Sequence, residues 1–309
     1  MREDTSHVVH CIAIKPVGGI AIASSRLRAY LVVKELTKKS INIEIFDHKH
    51  INNYDLVIFQ KAYTDADIKL AKQLKSRSCK IALDQCDNHF IYDIDDADQC
   101  KRAKNLRAMV DEVDVVIAST DKISELFPDK VTFVVNDFIE IYESTWFDRF
   151  KARRQARNIF KGDALKLVWF GSVGSDSPRF GMCDIAQKIG LLNELSSQYN
   201  IQLTVISNSV STFEKYFSGQ HQFTVYYLEW QRETYEYLVG MHDICLIPID
   251  INPFTICKSN NRLVLSLFLG LPVVADEIPS YSEFSNFVKL GSWDENLRYV
   301  VRNLSSERQ

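Results

Sequence analysis

Two hydrophobic rhythms alternate along this chain. Short runs rich in Val and Ile are followed by longer stretches whose apolar residues recur every three or four positions. That alternation predicts α/β architecture, with parallel strands buried on both faces under helices. In the first half the strands read "VVHCIAI" from Val8, "INIEIF" from Ile41, "YDLVIFQ" from Tyr54, "CKIALD" from Cys79, "DVVIAS" from Asp114 and "VTFVVN" from Val131. Helices are expected over residues 24–37, 65–75, 97–110 and 121–126. The rhythm breaks over 137–163, a charged segment with scattered aromatics, and then resumes. The second half offers "LKLVWF" from Leu165, "IQLTVIS" from Ile201, "FTVYYL" from Phe223, "DICLIPI" from Asp243 and "PVVA" from Pro272, with helices over 184–197, 212–217, 232–239, 260–269 and 295–303. The expected organisation is therefore two doubly wound domains in tandem, residues 1–136 and 164–309, joined by a linker over 137–163 and facing a cleft.

Composition narrows the function classes. The chain has 309 residues, enough for two cores. Its 37 Lys and Arg against 40 Asp and Glu leave a formal charge of -3, which argues against a nucleic-acid binder. Seven cysteines are scattered, with no C-x-x-C pair, so free thiols in a reducing compartment are expected and a structural zinc is not. The N-terminal apolar run is cut by Lys15 and Pro16, which fits neither a signal peptide nor an anchor. The expected location is cytoplasmic.

In doubly wound sheets ligands bind beyond the carboxyl ends of strands, so chemistry is sought in the loops that follow them. After "LKLVWF" comes "GSVGSDSPRFG", residues 171–181, where small residues would let backbone approach a phosphate, unless this is a plain flexible turn. Farther on, Lys258 precedes Ser259, Asn260 and Asn261 at a helix start. Unpaired N–H groups, the positive end of the dipole and a lysine suit an anion there. An ordinary N-cap accounts for the same residues.

The order of these motifs, with "LEW", "DICLIPI", "KSNNRL", "LGLPVVA" and "PSYSEF" in succession, resembles the nucleotide-sugar-binding half of GT-B glycosyltransferases. It is most similar to the group-1-type enzymes that build bacterial surface polysaccharides. The resemblance implies two Rossmann-like domains. It also implies transfer of a sugar from a nucleotide-diphosphate donor to a glycan or lipid-linked acceptor, with no required metal or other cofactor. It places the base against Leu228, Glu229 and Trp230, and the diphosphate against Gly171, Ser172, Lys258, Ser259 and Asn260, with Arg262 in reach. One departure stands out: where many retaining members carry two glutamates, this chain has Cys257 and Leu265. That departure makes a non-catalytic binding subunit an alternative, and a nucleotide-sugar epimerase, which shares the fold, is carried as another.

The first half resembles the family more weakly. "KPVGGIAIASSRLRAYLVVKEL" from Lys15 has the glycine pair and helix that follow the first strand, so Ser24, Ser25, Arg26 and Arg28 are candidates for binding an acceptor or phosphate. A helix start with solvated arginines is the other reading. "DQCDNHF" ends the fourth strand, and Asp87 and His89 are the candidate base and orienter, with Asp84 behind them. An Asx turn would explain Asp87 and Asn88 as well. In the linker, Arg149, Lys151, Arg153, Arg154, Arg157 and Lys161 surround Trp146, Phe147, Phe150 and Phe160. Such a stretch suits either a peripheral contact with an anionic membrane or a solvated helix with one packed face.

Overall fold

The computed structural model describes residues 11–137, 139–142, 144–219 and 221–304. The chain divides into two units, Met1–Glu140 with Cys257–Ser259, and Ile141–Ile256 with Asn260–Gln309. The boundary falls inside the stretch that the sequence reading gives to a linker. Most of that stretch is built into the second unit, where Ala152, Ala156 and Ile159 are buried and the helix Trp146–Gln155 packs on the helix Tyr235–Val239.

The first unit holds one parallel sheet of β1 (Ile12–Pro16), β2 (Ile43–Ile45), β3 (Leu56–Gln60), β4 (Lys80–Gln85), β5 (Val115–Ala118) and β6 (Val131–Val134), in the order β2-β1-β3-β4-β5-β6. Burial follows position in the sheet. Five of the six residues of central β4 are buried, whereas edge strand β6 leaves Val131, Phe133 and Val134 exposed. The strand order reverses between β1 and β3, which makes the loops after those strands the natural ligand site. The first strand is seen from Ile12; Val8, Val9 and His10 lie outside the described residues. The first helical run, expected over 24–37, begins at Ala23–Ser25, passes through a π-helical turn at Arg26–Tyr30 and ends as Leu31–Lys38. The helix Asp65–Lys75 starts where its sequence dictates, because Thr64 and Asp67 form a reciprocal capping box.

The second sheet comprises β7 (Leu165–Phe170), β10 (Ile201–Ser207), β11 (Thr224–Glu229), β12 (Ile244–Ile247), β13 (Val273–Ala275) and β14 (Lys289–Leu290), all parallel, in the order β11-β10-β7-β12-β13-β14. Counting sheet strands alone, this is the 3-2-1-4-5-6 order of a dinucleotide-type fold, with its switch point between β7 and β12. All seven residues of β10 are buried. Trp169, Met182, Leu192, Leu203 and Leu246 lie in the core cluster around β7 and β10.

Three details depart from the periodicity. The two-residue strand β14 is too short to stand out. The helix expected over 184–197 is two helices, Met182–Ala186 and Ile189–Ser196. The loop 171–181 is a small antiparallel hairpin of β8 (Gly174–Asp176) and β9 (Arg179–Gly181). Its glycines are steric necessities: at Gly174 (φ +83°) a Cβ would lie 1.7 Å from the Phe180 carbonyl oxygen, and at Gly181 (φ +105°) one would lie 2.4 Å from the Gly174 Cα. Among the described residues no helix is long and apolar enough to cross a membrane.

Candidate functional site

In the second unit Gly171 and Arg262 meet at the end of β7, and the other candidates lie at the end of β11 and at the start of the helix Asn261–Phe268. The Gly171 N–H donates to the Ile206 carbonyl at 3.1 Å, and its own carbonyl accepts from Ser207 Oγ at 2.7 Å, so the loop leaves β7 with its backbone pinned. The Arg262 guanidinium lies on the same strand end, donating from Nη1 to the Phe170 carbonyl at 3.3 Å. It also contacts the hydroxyl of buried Tyr281. A Cβ on Gly171 would sit 3.2 Å from that nitrogen, so glycine is what admits the guanidinium. Ser172 follows and is exposed. At the end of β11, Leu228 is buried and Glu229 accepts from the Tyr227 hydroxyl at 2.5 Å. The Trp230 backbone N–H donates to the Ser207 carbonyl at 2.7 Å, and its ring packs on Tyr235, with centroids 5.3 Å apart. Asn260 is the N-cap position of the helix Asn261–Phe268 and makes no side-chain cap bond; its amide donates to Glu283 at 3.0 Å.

Sequence reasoning did not single out Asp184. It accepts from the Gly181 N–H at 2.9 Å and fastens the hairpin to the following helix. Burial raises its carboxyl, against the pull of the Gly181 N–H and Arg262. The aspartate three positions into a helix is a legible capping signal, but its reach to Arg262 is not.

Lys258 and Ser259, nominated from sequence with the donor set, belong to the first unit. Lys258 Nζ lies 2.5 Å from Asp87 Oδ1, and Ser259 Oγ donates to Asp137. Thr120 Oγ1 donates to the Cys257 carbonyl at 3.2 Å, which ties down the same short segment. Asp87 also pairs with Lys61, and His89 Nε2 stands 4.0 Å from it. Lys61 immediately follows β3, at the strand-order reversal, and adopts a left-handed conformation (φ +50°) rarely taken by a long side chain. His89 Nδ1 contacts the Tyr63 hydroxyl.

The electrostatics of this cluster follow from burial and pairing. Burial alone would raise Asp87, but Lys258 and Lys61 outweigh it and hold the carboxyl far below its ordinary range. Burial opposes the Lys61 charge, and Asp87 more than restores it. Burial, reinforced by Lys61, lowers His89 to about 3, so its imidazole is neutral at pH 7. Burial likewise pushes the Cys86 thiol up, which leaves no thiolate nucleophile there.

Of the first-helix candidates, Ser24 is half-buried, whereas Ser25, Arg26 and Arg28 are buried. Arg26 Nε donates to Glu140 at 2.6 Å. Arg28 is bidentate to Asp84, at 2.6 and 3.0 Å, and also reaches Asp137 at 2.8 Å and the Val135 carbonyl at 2.9 Å. Neither arginine is solvated. Both carry internal ion pairs with residues 56 to 114 positions away, which no local pattern announces.

No protein-family model matches the sequence, and no curated protein sequence matches it either. Solved structures do match in shape. A glycosyltransferase from Rickettsia africae superposes with a TM-score of 0.61 at 11% identity, covering 96% of this chain and 92% of that one. Anabaena HepE, crystallised with UDP, gives 0.58 at 14% identity over 97% of this chain and 93% of its own. OtsA gives 0.55 at 13% identity over 82% of this chain, which spans 66% of OtsA, just under two thirds. Identities at this level speak for the fold alone. With a parallel six-stranded sheet in each of two successive Rossmann-like units, and these structures as its neighbours, the chain has the GT-B fold.

Proposed function

We propose that this chain is a glycosyltransferase that moves a sugar from a nucleotide-diphosphate donor to a glycan or lipid-linked acceptor, of the kind that builds surface polysaccharide. The observation that carries the reading is the Gly171 and Arg262 pairing at the switch point of the second sheet. There, the glycine that follows β7 leaves room for a guanidinium where a doubly wound fold places its ligand. HepE, which shares the fold, was crystallised with UDP. In the reaction the bond from the anomeric carbon to the diphosphate oxygen breaks and its electron pair leaves with the diphosphate. The acceptor hydroxyl oxygen forms the new bond and its proton passes to the departing diphosphate. Arg262 would stabilise the departing negative charge, and Glu229 and Trp230 would flank the base. In the first unit, a carboxylate held as low as Asp87 is a poor proton acceptor. Its role in this reading is to fix Lys61 and Lys258, and His89, lowered to about 3, is by the same measure no proton acceptor.

Two measurements test the donor site. A nucleoside diphosphate supplied at a hundred times its Kd stabilises the protein by about 2.7 kcal/mol, so UDP, GDP or ADP is expected to raise Tm by several degrees. If none of the three shifts Tm at millimolar concentration, the reading fails. Gly171→Ala places a methyl against Arg262 on one side and Trp169, which is fully buried and cannot yield, on the other. The guanidinium must move, and the preferred diphosphate is expected to bind about tenfold more weakly, while overpacking against Trp169 costs about 1–3 kcal/mol of stability. Unchanged affinity would take the diphosphate away from this loop.

A further inference from the structure

The helix Trp146–Gln155 presents its apolar side chains to the outside. At about 100° per residue, Trp146, Phe150, Phe147, Arg154 and Lys151 fall on one face, while Ala152 lies opposite them. Ala152 is fully buried, whereas Trp146, Phe147 and Phe150 are 78%, 64% and 53% exposed, and Trp146 and Phe150 stack on one another. Three large aromatics held on the outer face of a helix whose inner face is an alanine are not a core feature. Phe160, by contrast, packs against His242, so the exposed aromatics are confined to the first turns.

The charge around them is equally one-sided. Arg149, Lys151, Arg153, Arg154, Arg157 and Lys161 are all exposed, and Asp148 is the sole acid in the stretch 145–161. Asp148 is itself occupied with the Thr145 cap. Arg149 and Arg153 lie over the Tyr237 ring, which leaves Lys151 and Arg154 to flank the aromatics. In a chain of formal charge -3 this is a local concentration of positive charge.

We propose that this face docks on an anionic lipid bilayer, the aromatic rings entering the headgroup boundary and the flanking cations meeting the lipid phosphates. Ring burial supplies apolar contact and the cations supply selection for negative charge. A neutral surface would leave the cations unused, and a purely electrostatic partner would leave the rings in water. The proposal is independent of sugar transfer, because vesicle binding requires no donor and no acceptor.

The full chain is sedimented with vesicles of phosphatidylcholine alone and of phosphatidylcholine mixed with phosphatidylglycerol. Binding is expected to the mixed vesicles and to weaken as salt rises. Trp146→Ser, Phe147→Ser and Phe150→Ser combined are expected to lower partition by about a hundredfold or more. Lys151→Gln and Arg154→Gln are expected to cost about fivefold each. All five side chains are exposed, so far-UV circular dichroism and Tm should match the wild type. Trp146 is the tryptophan on this face, and a blue shift of emission on mixed vesicles should vanish in Trp146→Phe while binding persists. Equal binding to both vesicle types overturns the proposal, as do aromatic variants that bind like wild type. A concentration-dependent dimer abolished by the triple variant would overturn it too, by assigning the face to a second copy of the chain.

Discussion

Asp87→Ala is expected to lower the unfolding free energy by about 3–5 kcal/mol at pH 7, because it strands two ammonium groups that the fold holds around one carboxylate. Lys61 and Asp87 are only 13% and 14% exposed, so water cannot take over the lost partner as it would at a surface. Asp87→Asn keeps the shape but not the charge and should cost nearly as much. Lys258→Met should cost about 1 kcal/mol or less, since Asp87 keeps Lys61 and the Lys258 side chain is 31% exposed. Urea denaturation of the three variants distinguishes a structural anchor from a solvated catalytic carboxylate. An Asp87→Ala protein within about 1 kcal/mol of wild type would mean that the lysines find solvent or other partners, and the anchor account would be wrong.

The same residues mark how far the sequence could be read. The strands and the tandem α/β plan were legible because burial on both faces forces near-continuous apolar runs, as in "LKLVWF" and "IQLTVIS". The start of the helix Asp65–Lys75 was legible because its capping box is local. The pairing of Arg28 with Asp84 and Asp137, or of Lys258 with Asp87, was not, since each spans between 56 and 171 positions and leaves no periodic trace. A sequence shows an arginine early in a helix; whether it faces water or a buried aspartate is decided by how distant strands register. Lys61 escaped notice for a related reason. It follows a strand at the switch point, but that point exists only once the order β2-β1-β3 is known. The hairpin of β8 and β9 hid behind its glycines, which read as flexibility yet are there because two backbones nearly touch.

Acidification should destabilise the protein well before its depressed carboxylates protonate. His89 and His242 are 8% and 1% exposed. Burial lowers them to about 3 and about 4, against about 6.5 in an unfolded chain. Between pH 6.5 and those values the unfolded chain binds protons that the folded chain refuses, so stability falls as pH falls. At pH 5 each histidine accounts for a loss of about 2 kcal/mol relative to neutral pH, or about 4 kcal/mol together. Asp87 cannot cause this, because a depressed carboxyl gives up its contribution only below its unfolded value of 3.8. His50, raised by Glu44, runs the other way, but it is exposed and its pairing is screened by solvent. Burial raises Asp184, and it too opposes the trend as protons return. Urea unfolding at pH 7 and pH 5 measures the sum, and the same pair of measurements on His89→Gln and His242→Gln assigns it. Each variant should remove about half of the wild-type difference, because a glutamine neither titrates nor carries the buried charge penalty. A difference that survives intact in both variants would place the acid sensitivity elsewhere in the chain and return both imidazoles to accessible, ordinary titration.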